Sequence, residues 1–123
     1  MHAHVREALG VAFKALTPGS DDAFRKVCDF FHSKGYATQL HKKDKGAVKQ
    51  GFTHALGHGV GLQVHDYPSM GRRSDKLIAG DVVAVEPGLY LDGVGAVRLE
   101  DTVLITQNGV EYITDPYPYD LSP

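Results

Sequence analysis

One cysteine, Cys28, is all the chain holds in 123 residues, which excludes an intramolecular disulfide and any cysteine-based zinc site. A free thiol suits a reducing cytoplasm, the compartment expected for this protein. Excess charge is missing too. Thirteen Lys and Arg against fifteen Asp and Glu give a formal net charge of −2. Nucleic acid and anionic membrane surfaces are met with surplus Lys and Arg, so neither is expected as a partner. The one basic run, Lys42-Lys43-Asp44-Lys45, is short, interrupted by an acid, and reads as a solvated loop. No apolar run approaches membrane-spanning length. Met1-His2-Ala3-His4 leads straight into an amphipathic pattern without the apolar core of a secretory signal. Internal repeats and low-complexity segments are absent as well. What remains is one domain over residues 1–123, long enough to bury a core and too short for two.

The pattern that is present divides the chain in two. Residues 2–16 read as a helix, because Val5, Leu9, Ala12, Phe13 and Leu16 recur at helical spacing before Thr17-Pro18-Gly19 ends the run. The helix begins almost without lead-in, as a piece of something longer would. Ser20 is the expected N-cap of a second helix, with Asp21 and Asp22 in its first turn, where the helix dipole favours acids. Phe24, Val27, Cys28 and Phe31 form its apolar stripe, and Gly35 closes it. Cys28 belongs to that stripe and reads as a packed thiol, with nothing nearby in sequence to lower its pKa.

Tyr36 to Gln50 is a polar, Lys-rich connection. From Gly51 onward glycine and β-branched residues dominate, and Val82–Glu86, Leu89–Leu91, Val97–Thr106 and Val110–Thr114 are strand candidates. Asp92-Gly93 and Asn108-Gly109 are hairpin-turn signals. The expected class is therefore α+β: helices over about residues 2–34 packed on one face of an antiparallel sheet of three or four strands over about residues 51–114. The proline-rich tail, 115–123, should lie on the surface.

Three of the seven histidines, His54, His58 and His65, fall within twelve positions. Gly57, Gly59 and Gly61 argue against a helix there, since each glycine costs about 1 kcal/mol relative to alanine. An extended or bulged strand with close backbone approach fits better, with His54 and His58 on the same side. Further on, a turn near Gly93-Val94 folds the Glu86 strand back, so that Glu86 lands opposite Glu100 or Asp101, give or take a bulge. Alternation puts Arg98, Glu100 and Thr102 on one face and Val97, Leu99, Val103 and Ile105 on the other. Two opposed glutamates repel and need a cation, a basic partner or a proton. Arg98 as an ion-pair partner and a bound metal are both open at this point, and the neighbouring histidines favour the metal. Asp101 falls on the apolar face, where its carboxylate needs hydrogen-bond donors.

The four pieces His54-Ala55-Leu56-Gly57-His58-Gly59-Val60-Gly61, Val64-His65-Asp66, Glu86-Pro87-Gly88 and Val97-Arg98-Leu99-Glu100-Asp101 together resemble the C-terminal half of the M24, or pita-bread, metallopeptidases. The resemblance spans His54 to Thr114 and is greatest to the Xaa-Pro branch, the prolidases and Xaa-Pro aminopeptidases. It implies half of a pita-bread fold and the cleavage of peptides with proline in second position by metal-activated water. The implied metal ligands are His58, Glu86 and Glu100, the last bridging two ions in the family. His65 is implied to contact the scissile carbonyl, His54 to position substrate, Glu86 also to carry the proton, and Arg98 to support the site or meet the substrate's carboxylate end. Asp66 is not an implied ligand, and Asp101 is expected to steady the site by accepting hydrogen bonds. The implied cofactor is a divalent metal, Mn, Co or Zn.

One part of the family pattern is not matched. The family's site also uses two aspartates on strands of the preceding half, and commonly a further histidine. Asp81 and Asp92 are accounted for as turn residues, and Asp21, Asp22 and Asp29 fall on the second helix. At most one ion, in place of the family's two, is therefore expected here, with no full activity from this chain alone. Pairing with a second copy or with a missing N-terminal half is expected to cover the open surface. Two other readings stand beside this one: a non-catalytic peptide- or protein-binding module of the same fold, and a small α+β domain whose Glu, Arg and His form an ion-pair network.

Overall fold

The computed structural model describes residues 1–42, 45–115 and 118. Two helices, α1 (His2–Ala15) and α2 (Ala23–Ser33), precede seven strands: β1 (Gly57–Gly59), β2 (Asp66–Met70), β3 (Val82–Val85), β4 (Gly88–Leu91), β5 (Gly95–Arg98), β6 (Asp101–Thr106) and β7 (Gly109–Tyr112). The α+β class read from the sequence holds. Of the Lys-rich run, Lys43 and Asp44 fall outside the described residues, as does most of the proline-rich tail.

Both helices form where the apolar period predicts. Val5, Leu9 and Ala12 of α1 are buried, as are Phe24, Val27, Cys28 and Phe31 of α2. Gly35 sits at φ +89°, the left-handed region open to glycine, and its N–H donates to the His32 carbonyl, closing α2. The expected start of α2 is corrected. Ser20 does not cap it: the Ser20 hydroxyl turns back to the Ala15 and Thr17 carbonyls, at 2.9 and 2.7 Å. The end of α1 leaves carbonyls unpaired and within reach, and they take the hydroxyl first. Helix α2 begins two residues later than expected, after Asp22, whose carboxylate reaches forward to Lys26 at 3.1 Å. Asp21 and Asp22 thus precede the helix.

The sheet is larger than expected. Five antiparallel strands run in the order β2-β1-β3-β6-β7, and a separate two-stranded ladder joins β4 to β5. Beyond the four strand candidates lie β1, the extended stretch expected around His58, and β2 around Pro68, which was not foreseen. The single strand expected over Val97–Thr106 is split at Leu99 and Glu100, with β5 in one ladder and β6 in the other. Val85 lies opposite Asp101 and Gly88 opposite Arg98, so both ladders keep one register across the split. That register sets Glu86 and Glu100 at matching levels in the gap, bridged by the Leu99 N–H to the Pro87 carbonyl at 3.2 Å.

The core lies between the helices and the sheet. Phe31 and Phe52 meet with ring centroids 5.3 Å apart, Phe24 stands 5.8 Å from Phe52, and the Phe52 ring in turn touches His54 at 5.3 Å. Phe52 is fully buried and bridges to Thr38, so this aromatic group ties α2 to the segment that leads into the histidines. Among the described residues no helix is long and apolar enough to cross a membrane.

Cys28 is a fully buried member of this core. Burial pushes its thiol up to about 11 from 9.0, partly opposed by a hydrogen bond with Thr38. The native state therefore keeps a proton that the unfolded chain releases, so stability is whole below about pH 9 and falls as pH rises toward 11. Urea denaturation at about pH 8 and about pH 10.5 should show that loss, and Cys28→Ala should flatten it. Tyr112, raised by burial and by the Asp101 charge, acts in the same direction, so some slope should survive.

Candidate metal centre

Strand β1 lies between β2 and β3, and its two glycines explain how it fits. A Cβ on Gly57 would meet the Ala84 carbonyl oxygen, and one on Gly59 the Tyr67 carbonyl oxygen, both of them backbone groups that cannot swing aside. Only glycine on either side of His58 lets the three strands close. The strand slips register between His58 and Gly59, the bulge that the glycine pattern suggested. His54 lies outside β1 in a bend, so the expectation that His54 and His58 share one strand face is corrected. The segment turns before it reaches the sheet, and strand alternation does not extend back to His54.

His58 is mostly buried, and its Nδ1 is 2.9 Å from the Gly59 carbonyl. A carbonyl oxygen only accepts, so Nδ1 carries the hydrogen and Nε2 is the free lone pair of the neutral ring. That Nε2 stands 3.5 Å from Oε1 of Glu86. Glu86 follows β3 and is pinned by its own N–H, which donates to the Leu56 carbonyl at 2.8 Å. Its other oxygen, Oε2, is 3.7 Å from Nε of Arg98. His65, on the loop between β1 and β2, brings its ring edge-on to His58 with centroids 4.7 Å apart. One ligand atom each from His58, His65 and Glu86 lie within 4.8 Å of one another. Glu100 is exposed and is not part of that trio.

Beside the trio runs a second chain of polar groups. Arg98 donates to the Tyr90 hydroxyl oxygen at 3.4 Å, and Tyr90 lies 3.0 Å from Nε2 of His54. His54 Nδ1 faces the Ala55 carbonyl at 2.7 Å, and since a carbonyl only accepts, Nδ1 carries the hydrogen of that bond. The Tyr90 oxygen, followed by the Glu86 and Glu100 charges, holds the Arg98 guanidinium above its ordinary pKa. Gly88 leaves room for the pair, since a Cβ there would lie 3.1 Å from both His54 Nε2 and the Tyr90 hydroxyl.

Tyr90 escaped the sequence reading. Strand alternation between Leu89 and Leu91 placed it on the face away from the buried Leu89, but nothing in sequence told it apart from a surface tyrosine. Asp66 spends Oδ1 on the Tyr67 N–H at 2.9 Å, consistent with a turn role. Asp81 likewise accepts from the Ile78 N–H at 2.8 Å, and Asp29 faces His41 at 3.1 Å. Asp101 is 2 % exposed; Oδ1 accepts from the Thr114 hydroxyl at 3.1 Å, while Oδ2 has no partner among the described residues. A cleft of about 780 Å³ between α2 and the Tyr36–Gln50 connection is lined by His32, Tyr36, His41 and Lys49, and none of the six site residues His54, His58, His65, Glu86, Arg98 or Glu100 borders it.

The sequence profile of metallopeptidase family M24 matches residues 1–107, and the chain belongs to that family. Over 64 residues it is 47% identical to the Xaa-Pro dipeptidase of Pyrococcus furiosus, a match covering 51% of this chain and 18% of that protein. Among solved structures, the prolidase from Pyrococcus furiosus superposes with a TM-score of 0.79 at 34% identity, over 94% of this chain and 32% of that one. The X-Pro aminopeptidase from Thermotoga maritima gives 0.77 at 33% identity, over 94% and 30%. The chain thus spans about a third or less of the length of these relatives. The two-helix and antiparallel-sheet architecture is that of the matching part of the prolidase fold.

Family M24 implies a divalent metal, and the donor set fits one. Two imidazoles and a carboxylate, with the His58 lone pair already turned inward, suit a borderline cation better than Mg²⁺ or Ca²⁺. Tyr90→Phe should release the His54 ring without unfolding the protein. The expected cost is about 1 kcal/mol in urea denaturation, with a shifted and broadened His54 imidazole signal in NMR and an unchanged His58 signal.

Proposed function

We propose that this chain carries part of a metallopeptidase centre that hydrolyses peptide bonds preceding proline, with His58, Glu86 and Glu100 as the family-type ligands. The observation that carries this reading is the convergence of His58, His65 and Glu86 within 4.8 Å in a chain whose residues 1–107 match family M24. The Xaa-Pro dipeptidase and prolidase relatives supply the substrate class. A bound divalent ion, Mn, Co or Zn, supplies the charge that acidifies water and polarises a carbonyl.

The chain's own residues do the rest. Glu86 takes the proton at its carboxylate, whose Oε2 lies 3.7 Å from Nε of Arg98. His65, exposed at the mouth, is free to donate to the carbonyl oxygen as negative charge develops there. His54 orients substrate from a position fixed by Tyr90, and Arg98 meets the carboxylate end of a dipeptide. Asp101, next to Glu100 in the chain, anchors this end of β6 by accepting from the Thr114 hydroxyl. The setting is a reducing cytoplasm, in keeping with the unpaired Cys28.

The reading includes incompleteness. No paired aspartates accompany the trio among the described residues, so the donor set suffices for one ion and turnover needs a partner segment. Assayed on Xaa-Pro dipeptides with Mn²⁺ or Co²⁺, the 123-residue chain should give no turnover. Mixed with a polypeptide bearing the paired aspartates of an M24 catalytic domain, it should cleave, and His58→Ala should abolish that cleavage. Turnover by the chain alone would refute incompleteness; equal cleavage of prolyl and non-prolyl dipeptides would refute the substrate class.

An apolar rim beside the site supports the same reading. Leu62 is 104% exposed, and Val64 and Tyr67 are each 81% exposed, all on or next to the loop that carries His65. Such a patch is what a second copy or a missing half would cover. Light scattering coupled to size exclusion should find a dimer of the chain at micromolar concentration, and a clean monomer would count against self-pairing.

A further inference from the structure

We infer that the cleft between α2 and the Tyr36–Gln50 connection binds a small aromatic anion, a flat ring carrying a carboxylate or a phosphate. The cleft stands apart from the metal centre, with the rings of Phe31 and Phe52 intervening between Tyr36 and His54. Neither site depends on the other.

Charge is the first support. The chain as a whole carries a formal net charge of −2. The cleft reverses that balance: Lys42, Lys49, His32 and His41 line it, and among the described residues no Asp or Glu does. Asp29 faces His41 at 3.1 Å from outside the lining. Lys42, which reads from the sequence as part of a solvated loop, borders this cavity and gives its ammonium to the Gly46 carbonyl at 2.6 Å. Lys49 is exposed and has no hydrogen bond or ion pair among the described residues, so its charge is open to a ligand. An ammonium group in that position pairs with a carboxylate or phosphate through charge-assisted hydrogen bonds.

Ring geometry is the second. His32 and His41 lie stacked, with centroids 4.3 Å apart and planes 9° from parallel. His41 is fixed at both nitrogens, Nδ1 lying 3.0 Å from the Thr38 hydroxyl and Nε2 facing Asp29. Thr38 is fully buried, which anchors the stack in the core. His32 is exposed, and among the described residues its ring nitrogens make no hydrogen bond. Tyr36 adds a third ring, its hydroxyl 2.9 Å from Nδ1 of His4. Rings set in place beforehand favour a ligand that is itself flat, because little ordering is needed when it binds.

Size is the third. The cleft holds about 780 Å³, inside the roughly 300–1,000 Å³ of small-molecule sites. Ala47 and Val48 give it carbon surface between the polar groups, the mixture that buries a ring and orients its charge.

Calorimetry on the 123-residue chain with 1-naphthoate and with adenosine monophosphate tests both forms of the anion. At least one should bind, one per chain, with a Kd below about 1 mM. It should bind at least about tenfold tighter than 1-naphthalenemethanol or adenosine, which keep a ring without the charge, and than acetate or inorganic phosphate, which keep the charge without a ring. Binding of naphthoate alone assigns a carboxylate ligand, and binding of the nucleotide alone assigns a phosphate. In NMR the His32 and His41 ring signals should move on binding, with those of His58 and His65 unchanged. Lys49→Ala and His32→Ala should each weaken binding by at least about fivefold, and Lys76→Ala, which removes an exposed charge outside the cleft, by less than about twofold. All three side chains are exposed, so the variants should keep the wild-type circular dichroism. Failure of both anions to bind, or equal binding of the uncharged or ringless compounds, would overturn the inference. So would shifts at His58 and His65 in place of His32 and His41, or a loss in Lys76→Ala as large as that in Lys49→Ala.

Discussion

The centre of the sheet is a place with no room for side chains. At Gly57 and Gly59 strand β1 closes against the Ala84 and Tyr67 carbonyls, and a single added carbon on either glycine would collide with backbone. Everything about the site follows from that squeeze. His58, between the two glycines, is the one residue of the strand that can carry a side chain, and strand alternation sends it to the face opposite the closure. Because β3 is the partner on one side, Glu86 arrives one residue past the end of its strand, bonded to Leu56 and within 3.5 Å of the His58 ring. Because β2 is the partner on the other, its leading loop brings His65. A looser strand with ordinary side chains would separate all three.

The second constraint is the break between the two ladders. The hairpin keeps one register through β3 and β6 and again through β4 and β5, yet its strands change sheets at Glu86-Pro87 and Leu99-Glu100. Proline lacks an N–H, so it fits a point where the ladder is interrupted. Here the Leu99 N–H donates to the Pro87 carbonyl and holds the two sides together where the ladder stops. Functional carboxylates placed there escape the alternation that would bury one of them in the core. Asp101, one step inside β6, does not escape, and it is left with one accepted hydrogen bond and one oxygen without a partner among the described residues.

What the sequence revealed and what it hid both have physical causes. Helices α1 and α2 were legible because their apolar residues repeat every three to four positions and their buried faces are continuous. The Glu86–Glu100 pairing was legible because Asp92-Gly93 marks a tight turn and fixes the register of everything around it. Strand β1 was legible as an extended or bulged strand from its glycines, but β2 was not counted, since a strand containing Pro68 carries no alternating apolar signal. Ser20 was misread because a hydroxyl five residues past the end of one helix and three before the start of the next has two sets of backbone groups to serve. Local sequence does not say which it meets first. Tyr90 was invisible for another reason: its role depends on His54, thirty-six positions away, and on the space that Gly88 leaves.

Hydrogen-bond geometry then sets the two histidines of the motif apart. His58 and His54 each give Nδ1–H to a backbone carbonyl of the adjacent residue, so in both rings Nε2 is the working atom. In His54 that atom is already occupied, because the Tyr90 hydroxyl is hydrogen-bonded to it and Arg98 donates to the Tyr90 oxygen. In His58 it faces a carboxylate oxygen at 3.5 Å, which has no hydrogen to give when ionised. Two acceptors face each other there, and that contact is satisfied only by a proton or by a cation. The two histidines of one short motif thus differ in kind: His54 is complete within the protein, and His58 is not.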